Sequence, residues 1–275
     1  MFKKIALAAA LVSSAAFATW DYYPVLEAGK GSVEGGLYYD WHHEWSQAGL
    51  KVGARYSVIQ NLEISLQSWG FQFWGETDCG GCANGGSGLR DLTLGGRFQI
   101  DPMISVFVDL NLPIGNDDYD GPGTNHPSSD EIALYMGGQF SMPIKETPGL
   151  KFGTEAGIFW GFEHDDSERG LELHLGGEGS YEIPNAGGIA PYVGLQLKFR
   201  VTESTWEEYD ENEKKKVEKG ADDDGDHQVI LWVGVGYFII PNQLNVKGQV
   251  FVRSGDHDNM GGDASGFYFA AEYFF

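Results

Sequence analysis

The two cysteines of the chain are the first residues whose type and spacing could support chemistry. Cys79 and Cys82 lie in a glycine-rich segment that runs from Gly75 to Gly88. A four-ligand zinc site would need a second pair of ligands nearby, and the sequence holds no second cysteine pair. In an oxidising compartment, a local disulfide is favoured over free thiols or a bound metal. The spacing therefore predicts a Cys79–Cys82 disulfide and no metal site.

Histidines and acids could also form a hydrolytic centre. Asp40, His42 and His43 lie together at the end of a predicted strand, where an aspartate and a histidine could activate water as in a surface protease. No serine–histidine pair of the kind that a phospholipase uses is apparent on the same face of a strand. Exposed histidines at a loop tip are usually only solvated. We therefore expect no catalytic residues and no enzymatic activity, with a hydrolase as the less favoured alternative.

The acidic segment from Thr202 to Asp226 could bind a cation. Residues 222–226 lack the alternating ligand spacing and the distant glutamate of an EF-hand loop, so a solvated loop is the simpler interpretation. Within it, residues 207–219 could form a short helix, and we expect no cofactor. The net charge of −22 also argues against nucleic-acid binding, because a phosphate backbone attracts cationic surfaces.

The first residues of the chain have the pattern of a secretory signal peptide. Lys3 and Lys4 precede an apolar run from Ile5 to Phe17, which closes with small residues up to Ala18. We expect cleavage after Ala18, so that residues 1–18 are the signal peptide and residues 19–275 form one domain. The run is too short to span a bilayer, and no later run approaches the ~20 apolar residues of a transmembrane helix.

The elements that must position the polar residues are β-strands, because apolar and polar residues alternate along most of the chain. The clearest strand alternates Ile104, Val106 and Val108 with Ser105 and Asp109. Around residues 68–70 the alternation slips, which predicts a bulge or a strand end.

The final strand indicates the architecture. Phe267, Phe269, Tyr273 and Phe275 share one face, and Glu272 lies on the other. In a soluble β-sandwich, which is the alternative, such an apolar strand would leave an open edge that invites aggregation, whereas a barrel pairs its last strand with its first.

The spacing of the connections completes the prediction. Counting the alternating segments gives about twelve strands, an even number as in single-chain outer-membrane barrels. Short turns at Asn61, Pro102, Pro143, Pro184 and Pro241 separate longer loops at Asp78, Asp120, Asp166, Asp222 and Asp256. The sequence therefore predicts an all-β fold, a single antiparallel transmembrane β-barrel in the outer membrane, with short periplasmic turns and long acidic extracellular loops.

Two features resemble known families. The final strand, with Tyr273 and the terminal Phe275, resembles the C-terminal signal of bacterial outer-membrane barrels, which implies recognition by the barrel-assembly machinery. The stretches Gly88-Leu89-Arg90-Asp91 and Leu112-Pro113-Ile114-Gly115-Asn116-Asp117 resemble the paired Gly-Leu-Gly-Asp and Pro-Thr-Gly-Asp motifs of the family called "MetA-pathway of phenol degradation". Here Arg90 replaces the second glycine, Ile114 replaces the threonine, and Asn116 is inserted before the aspartate. The resemblance implies an outer-membrane barrel that moves small solutes.

The inward face of the predicted barrel carries both signs of charge. The pore-lining candidates are Lys51, Arg55, Asp91, Arg97, Glu155, Glu172, His174, Lys198, Arg200, Lys247 and Arg253. Burying charge in a narrow lumen is costly unless opposite charges pair or water fills the space, which favours a narrow, wet, partly salt-bridged pore. We therefore expect an outer-membrane channel for small solutes, with membrane lipid and a solute as partners. A lumen closed entirely by ion pairs, in a structural or adhesive protein whose acidic loops bind a partner, is the alternative.

Overall fold

The computed structural model describes residues 24–41, 45–77, 86–116, 127–128, 131–162, 167–210, 215–220, 222–255 and 263–275. Outside these ranges lie the predicted signal peptide, His42, His43 and the pair Cys79 and Cys82, so the signal peptide and the disulfide stay predictions. No helix within the described ranges is long and apolar enough to cross a membrane.

The described residues form sixteen β-strands. In chain order they are β1 (Gly31–Trp41), β2 (Trp45–Ile59), β3 (Leu62–Thr77), β4 (Gly88–Leu89), β5 (Leu92–Asp101), β6 (Ile104–Leu112), β7 (Ala133–Pro143), β8 (Leu150–Gly161), β9 (Ser167–Glu168), β10 (Glu172–Tyr181), β11 (Ile189–Arg200), β12 (Thr205–Asp210), β13 (Lys215–Gly220), β14 (His227–Ile240), β15 (Leu244–Gly255) and β16 (Ala264–Phe274). Twelve of them, all but β4, β9, β12 and β13, pair antiparallel with their neighbours around a closed barrel.

Pairing of the last strand with the first closes the barrel, which confirms the prediction from the final strand. β1 and β16 run antiparallel in a register that takes Ser32 opposite Phe274 and Trp41 opposite Ser265. At the end of this seam, Gly31 and Phe275 exchange both backbone hydrogen bonds at 3.0 Å. The closed sheet therefore has no open edge between its first and last strands.

The barrel is apolar outside and polar inside. On β6, for example, Val108 is 47% exposed while its neighbour Asp109 is 6% exposed. The same alternation leaves large apolar side chains exposed on most barrel strands, among them Val33, Leu37, Ile64, Phe98, Val106, Ile158, Val193, Val233, Val250 and Phe269. Such a surface is unfavourable in water and suits the hydrocarbon of a bilayer, as in transmembrane barrels.

Short turns gather at one end of the barrel, as predicted. The turns β2–β3, β5–β6, β7–β8, β10–β11 and β14–β15 lie at what we call the turn end, together with the start of β1 and the end of β16. Asn185 and Asn242 adopt left-handed backbone conformations in these turns, with φ of 61° and 59°, which asparagine tolerates better than most residues. The opposite end, the loop end, carries the longer connections together with the three-residue connection between β1 and β2.

The predicted helix over residues 207–219 is wrong. Strands β12 and β13 form an antiparallel hairpin there, with Thr205 opposite Gly220 and Asp210 opposite Lys215, and β9 adds a third strand. Residues with a preference for strands, such as Trp206, Tyr209 and Val217, recur through the segment. The high charge that suggested a helix is equally compatible with a solvated hairpin.

A bulge occurs close to the position that the slip in alternation predicts. The register between β3 and β5 shifts between Leu66 and Ser68. Beyond the shift β3 continues to Thr77 and pairs with β4, where Phe71 lies opposite Leu89. The slip therefore marks an irregularity within one long strand and not its end.

Deletion of Phe275 should reduce assembly, because it removes both backbone hydrogen bonds to Gly31 and the ring that packs against that glycine. The measurement is the amount of heat-modifiable protein in the outer-membrane fraction. Phe269→Leu, which keeps an apolar side chain on the exposed face of the same strand, serves as the control. Normal assembly of the deletion variant would show that the terminal residue is dispensable.

Candidate functional site in the barrel lumen

The inner face of the barrel collects the charged residues of the strands. Buried polar residues such as Glu63, Gln72 and Asp109 alternate with exposed apolar residues on the same strands. Of the pore-lining candidates, Arg55, Arg97, Glu155, Glu172, His174, Arg200 and Lys247 are buried, and Lys51, Asp91, Lys198 and Arg253 are half-buried. These side chains avoid the lipid-facing surface, where an unpaired charge would be most costly.

Buried ion pairs fill the lumen toward the turn end. Glu63 lies between the guanidinium groups of Arg55 and Arg97, at distances of 3.8 and 3.9 Å. Lys247 lies between Glu34 and Glu272, and its Nζ is 3.5 Å from Glu272. We call these residues, with Ser32, which donates a hydrogen bond of 2.8 Å to Glu272, the turn-end network.

The turn-end network is balanced in charge. Three cations, Arg55, Arg97 and Lys247, face three carboxylates, and all six side chains are buried. Buried charges of this kind are tolerated because each has an opposite charge nearby. At this level the lumen therefore presents a packed layer of paired charges.

The chain ahead of β1 packs against the same network. Val25 and Leu26 are each 5% exposed, and the backbone N–H of Leu26 donates to Glu63 Oε2 at 3.1 Å. Because Glu63 belongs to the inner face, this hydrogen bond places the buried residues Val25 and Leu26 of the N-terminal segment, residues 24–30, inside the turn end. Sequence periodicity does not predict this contact, since two apolar residues in a short segment ahead of the first strand carry no periodic signal.

A cavity of about 750 Å³ lies in the part of the lumen toward the loop end. Its lining residues come from the barrel wall and from the loops above it: Ser68, Arg90, Asp91, Thr93, Asp109, Asn111, Pro127, Ser128, Glu131, Ala133, Tyr135, Phe159, Arg169 and His174. The cavity is large enough for a small organic molecule, and its wall offers both charges and hydrogen-bonding groups.

Aromatic rings form one side of the cavity. Phe107 and Tyr135 have ring centroids 4.9 Å apart, Tyr135 and His174 5.0 Å, and His174 and Phe159 5.8 Å with the last two nearly parallel. Cζ of Arg169 lies 5.2 Å from the centroid of Phe159. The rings come from the neighbouring strands β6, β7, β8 and β10, so inward residues in adjacent strands build a continuous aromatic surface.

A chain of ion pairs, the rim network, runs along the loop end. Arg169 contacts Glu131 at 3.6 Å and Glu172 at 2.9 Å, and Arg200 contacts Glu172 at 3.0 Å. Arg200 then binds Asp223 in the connection between β11 and β14. Four connected charge contacts thereby link the connections that precede β7, β10 and β14 to the barrel wall.

Asp223 is the loop residue that the rim network holds most firmly. Burial acts to raise the pKa of its carboxyl group, but hydrogen bonds from the Ser204 backbone and hydroxyl, together with Arg200, hold that pKa below its usual range. The Ser204 N–H donates at 2.6 Å and its hydroxyl at 2.8 Å. Asp223 is therefore a charged anchor for its connection at neutral pH.

The two motif stretches interlock at the loop end. Asp91 accepts hydrogen bonds from Gly115 N at 3.2 Å and from Ser128 Oγ at 2.6 Å. Asn116 donates its backbone N–H to Leu89 O at 2.9 Å, and its side-chain oxygen accepts from Leu89 N at 3.2 Å. The contact explains the glycine at position 115, because a Cβ there would lie 2.8 Å from Leu89 O and 2.9 Å from Asp91 Oδ1. The inserted Asn116 is thus part of the contact between the two motif stretches.

The interlocked turn aims Arg90 into the cavity. Arg90 and Asp91 separate β4 from β5, both of which pair with β3, and the Arg90 side chain reaches Tyr38 and Gln72. Sequence reasoning noted Arg90 only as a replacement for a glycine and did not include it among the pore-lining residues. Nor did it include Glu63 or Tyr135. The alternation of apolar and polar residues places Glu63 and Tyr135 on the inner face of their strands. Arg90 lies between two strands, where the alternation is interrupted and does not predict its direction.

Comparison with known proteins supports the architecture. Residues 23–264 match a family described as "Putative MetA-pathway of phenol degradation". An outer membrane channel from Pseudomonas putida F1 is similar in structure, with a TM-score of 0.65 and 14% identity over 92% of this chain and 98% of that chain. The beta domain of the Bordetella autotransporter Brka has a TM-score of 0.52 and 14% identity over 90% of this chain and 100% of that chain. A comparison with curated proteins gives no match.

The rim network predicts a pH-dependent attachment of the connection between β11 and β14. Because the pKa of Asp223 is lower in the folded protein than its ordinary 3.8, the contribution of Asp223 to stability is present at neutral pH and is lost as the pH falls below 3.8. Asp223→Asn should speed amide hydrogen exchange in residues 201–226 at pH 7 about tenfold or more, as for a lost hydrogen bond to a charged group.

Mass spectrometry of exchange in the variant and the parent at each pH checks this expectation. The difference should shrink at low pH, and Asp224→Asn, at an exposed neighbour, should leave exchange unchanged. Equal effects of the two substitutions, or a difference that persists at low pH, would contradict the role of Asp223.

Proposed function

The chain belongs to the family described as "Putative MetA-pathway of phenol degradation", and from this premise we propose that it is an outer-membrane channel for small solutes. The observation that carries the proposal is the cavity of about 750 Å³ inside a closed barrel, lined by charged, polar and aromatic side chains. A barrel that served only as an anchor would have no need for such a cavity.

The exposed apolar face and the position of the C-terminal strand set the proposed location and partners. Large apolar side chains cover the outside of the barrel, so this surface contacts membrane lipid. Tyr273 is exposed on β16, and Phe275 ends the chain at the turn end, where both are available to the barrel-assembly machinery. Because β1 starts and β16 ends at the turn end, we place that end toward the periplasm and the loop end toward the outside.

The proposed path runs from the loop end into the cavity and then past the turn-end network. The buried pairs around Glu63 and Lys247, together with Leu26, narrow the path at this level. Passage therefore requires displacement of the N-terminal segment or a local opening of the ion pairs. This arrangement supports a small conductance, well below that of a 16-stranded porin with a broad aqueous channel.

Single-channel recording of the refolded protein tests the path. The full mature chain should show small conductance steps, and removal of residues 19–26 should increase the step size because it removes the Leu26 contact with Glu63. Val25→Ser, which keeps the backbone and weakens only the packing, should give an intermediate value. A complete absence of conductance in both the full mature protein and the deletion variant would favour a structural or adhesive protein whose barrel serves only as a membrane anchor.

The acidic loops give the channel its proposed ion preference. The chain carries 40 acidic and 18 basic residues, and the acidic cluster at residues 222–224 falls in a connection at the loop end. A negative mouth raises the local cation concentration, and the effect fades as salt shortens the Debye length, ~8 Å at physiological ionic strength. Reversal potentials in a salt gradient should show weak cation preference that is strongest at low salt. Anion selectivity at low salt would contradict this expectation.

We assign no catalytic function to the barrel. Among the residues of the suggested hydrolytic group, Asp40 is described, and its carboxylate accepts a hydrogen bond of 2.9 Å from Gln47 Nε2. Incubation of the refolded protein with phospholipid and peptide substrates should give no turnover. Turnover that disappears in His42→Ala or His43→Ala would establish an enzyme instead.

A further inference from the structure

The charges around the cavity are not all balanced by one another. We propose that the cavity binds small zwitterions, solutes that carry one carboxylate and one ammonium group. This inference rests on the proposed channel function, because the bound solute would be one that the barrel passes. It is carried by a cation and two carboxylates, each of which has neutral hydrogen-bond partners.

Arg90 supplies the cation. Its Nη1 donates to the Tyr38 hydroxyl at 2.7 Å and to Gln72 Oε1 at 3.4 Å, and its Cζ is 5.3 Å from the centroid of the Tyr38 ring. These partners are neutral. Within the described part of the chain, no carboxylate is bonded directly to the guanidinium group of Arg90. A solute carboxylate is the group that the planar fork of N–H donors binds best.

Asp109 and Glu155 supply the negative charge. Asp109 lines the cavity and accepts a hydrogen bond of 3.4 Å from Gln67 Nε2. Glu155 accepts from the Tyr135 hydroxyl and, at 3.0 Å, from Gln139 Nε2. These donors are also neutral, and an ammonium group is the natural counterpart of such carboxylates.

The nearby cations are each shared among several carboxylates. Arg97 acts electrostatically on both Asp109 and Glu155, but it also pairs with Glu63 in the turn-end network. Arg169 divides its guanidinium between Glu131 and Glu172 in the rim network. The side of the cavity formed by β6, β7 and β8 therefore keeps an excess of negative charge.

The side near β1, β2 and β15 carries the cation of the proposed site. Arg90 reaches across β3 and β2 to Tyr38 on β1, and Lys51 on β2 and Arg253 on β15 lie on the same side. Asp40 acts on both Arg90 and Arg253, Asp263 acts on Arg253 and Glu34 acts on Lys51, and of the three cations Arg90 is the one that lines the cavity. A cavity with a cation on one side and carboxylates on the other favours a solute whose carboxylate faces Arg90 and whose ammonium group faces Asp109. A solute with a single charge is attracted by one side of the cavity and repelled by the other.

The remaining surface accommodates an apolar substituent. Tyr135 and Phe159 line the cavity and are half-buried, so part of each ring is open to a solute. A cavity of about 750 Å³ holds a molecule of the size of an amino acid with room for its hydration. L-phenylalanine combines both charges with a ring and is therefore the probe of choice.

Equilibrium dialysis of the refolded full-length mature protein tests the proposal with three related probes. L-phenylalanine carries both charges, 3-phenylpropionate keeps the carboxylate, and 2-phenylethylamine keeps the ammonium group. L-phenylalanine should bind about tenfold or more tightly than either analogue, the gain of one additional charge-assisted contact. Arg90→Gln should remove its advantage over 2-phenylethylamine, and Asp109→Asn should remove its advantage over 3-phenylpropionate.

Matched controls separate these effects from the loss of a charge anywhere. Lys145→Gln and Glu146→Gln change exposed residues in the turn between β7 and β8 and should leave all three affinities unchanged. Arg90→Lys and Asp109→Glu keep the charge and should retain the order of affinities, and heat-modifiable migration shows that each variant is folded.

The outcomes distinguish the inference from the proposed function. Equal binding of the three probes by a protein that conducts salt would overturn the zwitterion site and leave the channel standing. Selective binding of L-phenylalanine by a protein that never conducts would keep the site and overturn the channel. Selective binding that both Arg90→Gln and Asp109→Asn leave intact would also overturn the proposed site.

Discussion

The rest of the structure depends on the pairing of β1 with β16. In hydrocarbon, an unpaired backbone N–H or C=O group costs several kcal/mol, so a sheet can cross a membrane only if it closes on itself. The seam from Gly31 and Phe275 to Trp41 and Ser265 provides that closure. Once the sheet is closed, the strand period of two sends alternate side chains outward to lipid and inward to a confined lumen. Both the apolar exterior and the charged interior follow from this single constraint.

Confinement then dictates how the interior is built. Charges that are shielded from bulk water are stabilised by opposite charges nearby. The turn-end network and the rim network provide such ion pairs at opposite ends of the lumen. Between the rim network and the turn-end network, the cavity wall keeps Arg90 and Asp109 with neutral hydrogen-bond partners. A protein interior can leave such groups without a direct ionic partner when water or a solute occupies the adjacent space. The distribution of pairing thus separates the parts of the lumen that hold the barrel together from the part that can receive a ligand.

Much of the fold could be read from the sequence because it follows from a short-range rule. Alternation along segments such as residues 104–112 fixes the face of each side chain, and the apolar final strand that ends at Phe275 indicates closure. The prediction of a helix over residues 207–219 is wrong because the strand preference of Trp206, Tyr209 and Val217 outweighs the charge pattern of the segment. Partners could not be predicted in the same way. The contact of Leu26 with Glu63 joins residues 37 apart, and the direction of Arg90 depends on an interruption of pairing that is set by Asp91. Both require the three-dimensional register, which single-strand periodicity does not contain.

The position of the N-terminal segment also decides where foreign sequence can be attached to this protein. Leu26 lies inside the turn end, and Phe275 is bonded to Gly31 at the same end. An affinity tag fused ahead of residue 24 would compete with this segment for space, and a tag after Phe275 would extend from the closing seam. Engineered epitopes or reporter peptides are therefore better inserted in the connections at the loop end, where they would also be displayed on the outside of the cell.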